Sequence, residues 1–228
     1  MKNQKIISAV DLVKNYGTAE NPLFALNHVS LDIYKGEFVS VTGESGSGKT
    51  TLLNVLGTID TADSGDIIFQ EQSLMGKNDD YLSAYRRKEI GFIFQHYNLI
   101  PVLNVEENIM LPVNLDSATV DVEYYEELLA MSGLESKRYS FPHELSGGQK
   151  QRVAFIRALI HKPKLILADE PTGNLDSKNS REIITILKNS VRKYNQSLVL
   201  ITHDPNIACQ ADRIFTMSDG CISQNEVK

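Results

Sequence analysis

The chain has little of several things, and each shortage removes a class of function. It has two cysteines, Cys209 and Cys221, which have no metal-ligand spacing and make no disulfide framework; that usage suits a reducing compartment, with small packing roles expected for both. No apolar run approaches the ~20 residues a membrane-spanning helix needs. The opening Met1-Lys2-Asn3-Gln4-Lys5-Ile6-Ile7-Ser8 is too polar to read as a secretory signal. There is no excess of basic residues: the net charge is −6 and the pI about 5.4, against a broadly basic nucleic-acid-binding surface. The tightest basic cluster, Arg86-Arg87-Lys88, reads as a solvated helix face. Internal repeats, low-complexity tracts and long charged linkers are absent as well. With 228 residues, of which 42% are hydrophobic, the chain can bury one substantial core with a smaller lobe attached.

What is present is chemically specific. Gly43-Glu44-Ser45-Gly46-Ser47-Gly48-Lys49-Thr50 matches the phosphate-loop spacing G-x-x-x-x-G-K-[ST] in full. A β-rich run, Phe38 to Val41, leads into it, and a helix-compatible run beginning at Thr51 leads out. The glycines let backbone N–H groups and the following helix N-terminus face an anion. Lys49 then neutralises phosphate charge, and the Thr50 hydroxyl ligates Mg²⁺. Far downstream, the apolar run Leu165 to Ala168 ends in Asp169-Glu170. A carboxylate there is costly unless it is paired or helps to hold a metal ion, so Asp169 is expected to orient the Mg²⁺ shell. Glu170, pointing the opposite way if strand geometry persists, reaches the nucleotide side. Between the two motifs lies Leu145-Ser146-Gly147-Gly148-Gln149, with Ser146 placed as the N-cap of a helix running to about Ile160.

The wider pattern predicts an α/β fold. Residues 6–33 show β-type alternation interrupted by a loop at 17–22; Gly65 to Phe69 and Ile90 to Phe94 are further strands. The chain is mainly helical from Val105 to Ala158. Leu165 to Ala168, Leu198 to Ile201 and Ile214 to Met217 read as buried strands, with a helix from Ser180 to Val191 between the first two. Strand, helix, strand implies a parallel core. The expected organisation is one domain over 1–228: a core with an N-terminal antiparallel β portion at 1–95 and 161–228, and an inserted helical lobe at 96–160.

LSGGQ between a phosphate loop and a strand ending Asp-Glu resembles the ATP-binding subunits of ABC transporters. The resemblance covers nearly the whole chain. Phe94 to Pro101 and Glu170 to Asp176 resemble the lipoprotein-releasing, macrolide-exporting and antimicrobial-peptide-resistance branch. It implies a P-loop ATPase using ATP and Mg²⁺, with Lys49, Glu170 and His203 catalytic and Glu170 polarising the attacking water. Tyr16 is implied to stack on adenine, with Phe24 in the following Gly17 to Phe24 stretch a possible competitor. Gly43 to Thr50 and Thr51 would hold the phosphates, Gln95 would contact Mg²⁺ or water, and His203 the γ-phosphate. Ser146, Gly147, Gly148 and Gln149 would bind the γ-phosphate of ATP held by a second subunit, with Asp176 at the seam. The implied partners are an integral membrane permease and, with ATP, a second copy of the chain, at the cytoplasmic face of the membrane. No nucleic acid is expected. An ABC-type ATPase serving DNA maintenance or a cell-division complex is the alternative, but DNA-maintenance relatives carry long heptad inserts or zinc cysteines that this chain lacks.

Overall fold

The computed structural model describes residues 4–18, 20–116 and 118–225, so Met1 to Asn3 of the polar opening and Ala19 of the loop after Tyr16 lie outside the described residues. Two sheets organise the chain. Strands β1 (Lys5–Asn15), β2 (Phe24–Tyr34), β4 (Ser64–Phe69) and β5 (Gln72–Ser73) form an antiparallel sheet in the order β2-β1-β4-β5. The second sheet runs β10 (Cys221–Asn225), β9 (Arg213–Ser218), β3 (Phe38–Thr42), β8 (Ser197–Ile201), β7 (Leu165–Asp169), β6 (Ile90–Ile93); its strands are parallel except β10, which returns antiparallel to β9.

Strict alternation in the parallel strands splits the core in two, because successive side chains leave opposite faces. Val39, Val41, Leu165, Leu167, Val199 and Ile201 pack with the antiparallel sheet and helix α1 (Lys49–Leu56). Phe38, Ile166, Ala168, Leu198 and Leu200 face the other way, onto α5 (Gly147–Leu159) and α6 (Ser177–Tyr194). Each fully buried Val, Leu or Ile in these strands contributes ~1.5–3 kcal/mol of transfer free energy. Both faces of the sheet are therefore apolar, as a covered parallel sheet requires.

Helices α3 (Val105–Leu115) and α4 (Val122–Ser132) join α5 in the second cluster. Asn108, fully buried, stitches the preceding loop to α3: its amide donates to the carbonyls of Ile100, Leu103 and Asn104 and its oxygen accepts from Ile100 N–H.

The α/β class, the antiparallel N-terminal portion and the parallel core agree with the sequence reading. Several elements differ. The short α7 (Pro205–Ala208) stands where no element was expected, as do β5 and β10, and helix α2 (Asp79–Glu89) extends the helix read at Arg86-Arg87-Lys88 back to Asp79. Helix α6 begins three residues earlier than Ser180 and runs on to Tyr194. Arg86-Arg87-Lys88 does lie on a helix, with Lys88 exposed, but two of the three are only partly solvated: Arg86 donates to the Thr58 carbonyl at 2.8 Å and Arg87 to Asp116 at 3.4 Å, and both are half-buried. Cys209 and Cys221 are exposed rather than packed. Cys209 follows the one-turn α7 and Cys221 sits in the outermost strand of its sheet, positions that bury little.

Candidate functional site

Three adjacent parallel strands and a fourth beside them deliver functional groups from their C-terminal ends. The phosphate loop follows β3, His203 follows β8, Asp169 ends β7, and Gln95 lies two residues past β6. Ligands of open α/β sheets bind at this end of the strands. A cavity of about 580 Å³ opens there. The loop contributes Gly43, Ser45, Gly46, Gly48, Lys49, Thr50 and Thr51 to its wall, and Gln95, Asp169, Glu170 and His203 complete the phosphate end. Tyr16, Leu23, Phe24 and Ala25 complete the lining, so Tyr16 and its competitor Phe24 share this cavity.

The loop glycines are required by space as well as by conformation. Gly48 has φ +101°, and a Cβ on it would sit 2.0 Å from the Ala25 carbonyl oxygen; one on Gly43, φ +144°, would sit 2.1 Å from that of Met217. No other residue fits either position. Within the loop the Lys49 ammonium donates to the carbonyls of Gly43 (2.9 Å) and Glu44 (2.6 Å). The Glu44 side chain does not line the cavity, and Ser47 is buried beneath the loop.

Asp169 and Thr50 converge, the Thr50 hydroxyl donating to Asp169 Oδ2 at 2.9 Å. Burial pushes the Asp169 carboxyl above the usual carboxylate range and the neighbouring Glu170 charge adds to it, against the Thr50 bond and Lys49. These oxygens fit a small hard cation. Among the described residues no cluster of three His, Cys, Asp or Glu could hold a metal; a Mg²⁺ that keeps water and takes phosphate oxygens needs only one or two protein ligands.

Glu170 reaches the cavity by a route different from strand alternation. The strand stops at Asp169, and Glu170 takes a left-handed backbone, φ +44°. This sparsely populated conformation brings Glu170 into the same cavity as Asp169. Its carboxylate is half-buried and meets His203 Nδ1 at 2.9 Å from both oxygens, while the imidazole is 74% exposed. An acceptor pair and a ring nitrogen thus face a solvent-accessible space beside the loop.

Ser146, Gly147, Gly148, Gln149 and Asp176 lie apart from this cavity and contribute nothing to its wall. Ser146 caps α5 in a reciprocal box with Gln149, as its position predicts. Asp176 accepts from Asn179 N–H at 2.9 Å and from its side-chain amide at 2.7 Å. A Cβ on Gly148 would lie 2.9 Å from Asn179 Oδ1, so this signature glycine abuts the residue that bonds Asp176. The structure therefore holds two groups of candidate residues, one around the phosphate loop and one at the start of α5.

Sequence reasoning missed the residues that tie these groups to the scaffold. Gln151, fully buried, and Arg157 on α5 donate to the carbonyls of Phe94, Tyr97 and Asn98, anchoring the segment that carries Gln95. Lys14 and Asp60 hold Tyr16. These contacts join residues far apart in the chain, and no local spacing announces them.

Comparison with known proteins agrees with this geometry. The family described as ABC transporter matches residues 26–173. The bacitracin export ATP-binding protein BceA of Halalkalibacterium halodurans is 40% identical over 219 residues, covering 95% of this chain and 87% of that protein. The lipoprotein-releasing system ATP-binding protein LolD of Cytophaga hutchinsonii is 38% identical, with 96% and 99% coverage. The macrolide export ATP-binding/permease protein MacB of Campylobacter jejuni is 46% identical over 223 residues, and this chain spans about a third (34%) of its length. A solved dimeric ATP-binding cassette, in a post-hydrolysis state with ADP and Pi, superposes with a TM-score of 0.89 at 38% identity, covering 97% of this chain and 99% of that one.

Proposed function

Because the chain belongs to the ABC transporter family, we propose that it is the ATP-binding and hydrolysing subunit that drives a separate membrane permease, in export or extrusion of a lipoprotein, drug or antimicrobial peptide. The observation that carries this reading is the convergence of Lys49, Thr50, Asp169, Glu170 and His203 on one cavity at the C-terminal edge of the parallel sheet.

Hydrolysis of a phosphoanhydride asks the protein for position and charge rather than covalent chemistry. The loop N–H groups and Lys49 cradle the β- and γ-phosphates. Thr50, Asp169 and Gln95 would hold Mg²⁺, which when bound neutralises charge on those oxygens. Glu170 orients and polarises the attacking water, and His203, hydrogen-bonded to Glu170, faces the γ-phosphate. Tyr16 stacks on adenine, with Phe24 beside it.

The signature residues Ser146 to Gln149 and Asp176 serve the cavity of a second copy, so ATP closes a homodimer and hydrolysis reopens it. The 96–160 lobe carries the signature and the docking surface. Next to Gln95, a groove of about 370 Å³ is lined by Ile59, Phe92, Phe94, Leu111 and Leu115, with Arg157 in its wall. No helix among the described residues is long and apolar enough to cross a membrane; the permease spans it, and this chain binds at its cytoplasmic face.

Glu170→Gln tests the assignment, since it keeps the shape and removes the charge. Steady-state ATPase is expected to fall by about 10²–10⁴, the usual weight of a general base, while ATP binding persists. Turnover at the parent rate would defeat the reading.

A further inference from the structure

We infer that Asp60 and Lys14 are positioning residues that fix the Tyr16 ring from behind, leaving one face of it open to the nucleotide base. The inference rests on reading the cavity as a nucleotide site. Tyr16 is 55% exposed in the cavity wall, where a free phenol ring would turn about its side-chain torsions and lose stacking free energy to ordering. Here it is held at its far end and on one face. The hydroxyl donates to Asp60 Oδ2 at 2.5 Å. The Lys14 ammonium stands 5.2 Å from the ring centroid, a cation–π distance, and itself donates to Asp60 Oδ1 at 2.9 Å and the Thr61 carbonyl at 2.7 Å. Asp60 is pinned in turn by Thr61 N–H at 2.7 Å.

The anchor belongs to the segment leaving α1, the helix that begins at the phosphate loop. Ile59 and Asp60 both donate their N–H to the Asn54 carbonyl of that helix. One short rigid element thus presents phosphate ligands at its N-terminus and the tether for the base-stacking ring at its C-terminus. Burial works against the Asp60 carboxylate, but the bonds from Tyr16 and Lys14 outweigh it and hold it ionised. The bond to Asp60 raises the Tyr16 hydroxyl above its ordinary range, which keeps it a donor.

A tether of this kind acts on the base and not on the phosphates, which separates it from a structural role. The test is calorimetric titration of purified Tyr16→Ala, Tyr16→Phe, Asp60→Asn and the Tyr16→Phe/Asp60→Asn double variant with ADP and with inorganic tripolyphosphate. Tyr16→Ala should weaken ADP about tenfold, the weight of one base on an aromatic ring. Asp60→Asn and Tyr16→Phe should each weaken ADP about threefold, as expected for one partly exposed charge-assisted bond, with no further loss in the double variant. Tripolyphosphate affinity should stay unchanged throughout. If ADP and tripolyphosphate weaken together, Asp60 acts through the phosphate loop and the tether is wrong. The tether also fails if ADP affinity falls in Tyr16→Ala but not in Asp60→Asn and Tyr16→Phe. Unchanged ADP affinity in Tyr16→Ala removes the adenine reading itself.

Discussion

At the scale of single residues, Asp169 carries a stability cost that the proposed chemistry explains. Burial raises its carboxyl above the usual range, with the Glu170 charge adding to the effect. A raised folded pKa means that the stability conferred by the protonated form is present at acid pH and lost as pH rises through that pKa. At neutral pH the ionised carboxylate is therefore a liability in the metal-free chain. Asp169→Asn, which can still accept the Thr50 bond, is expected to raise the melting temperature at pH 7.5 in EDTA. The gain should shrink as pH falls and Asp169 of the parent protonates, and the variant should lose ATPase activity. A lower melting temperature would mean that the charge stabilises the fold. The gathering of the phosphate loop with Asp169 and Glu170 at one cavity was legible in the sequence, because phosphate chemistry constrains spacing along the chain. The path of Glu170 was not, since a glutamate at φ +44° opposes its own backbone preference and only tertiary context imposes it. Asp60 was equally hidden, lying 44 positions from the ring it holds.

At the scale of elements, the groove beside Gln95 is made by Phe92 of β6 and Phe94 just past its end, by α3 with Leu111 and Leu115, and by the loop residue Ile59. Leu115 is 64% exposed and Ile59 49%, so neither adds much to the fold. Ile59→Gln/Leu115→Gln should leave the melting temperature and the ATPase rate of the isolated chain within error, because exposed substitutions away from caps and networks stay within about ±0.5 kcal/mol. Recovery of the chain with membranes of its own cell should fall several-fold; unchanged recovery would move the permease surface elsewhere. The strands and helices that build the parallel core were readable from their apolar runs. Helix α2 was legible only at its basic end, Arg86 to Lys88, because Asp79 to Glu89 is dominated by charged and polar residues and buries only Leu82 and Tyr85. Its cues are local instead: Asn78 caps it by accepting from Tyr81 N–H, Asp79 and Asp80 occupy the first turn, and Arg86 to Lys88 the last. Strand β10 escaped for a related reason: it is an outermost strand of mixed polarity, and the packing of Ile222 against the core is too little to impose a pattern.

At the scale of the whole molecule, the two separated groups of residues make a definite arithmetic prediction. In an isologous pair each surface meets its counterpart, so one protomer's phosphate loop can face the other's signature turn at two equivalent sites. A Lys49→Met chain has a dead loop and an intact signature; a Gly148→Arg chain has the reverse, the added side chain colliding with Asn179 and blocking the partner's phosphate. Neither homodimer contains a competent site. A mixed dimer contains one, formed by the loop of the Gly148→Arg protomer and the signature of the Lys49→Met protomer. Random association of equal amounts therefore predicts recovery of about a quarter of the parent ATPase rate if the two sites of the pair act independently. Recovery should peak at equal mixing and rise with total concentration, since the active species must assemble. A mixture that stays dead at every ratio would mean that neither group completes the other across a pair. A Gly148→Arg chain active by itself would mean that the signature serves no phosphate at all, and that the capping box at Ser146 exists only to begin a helix.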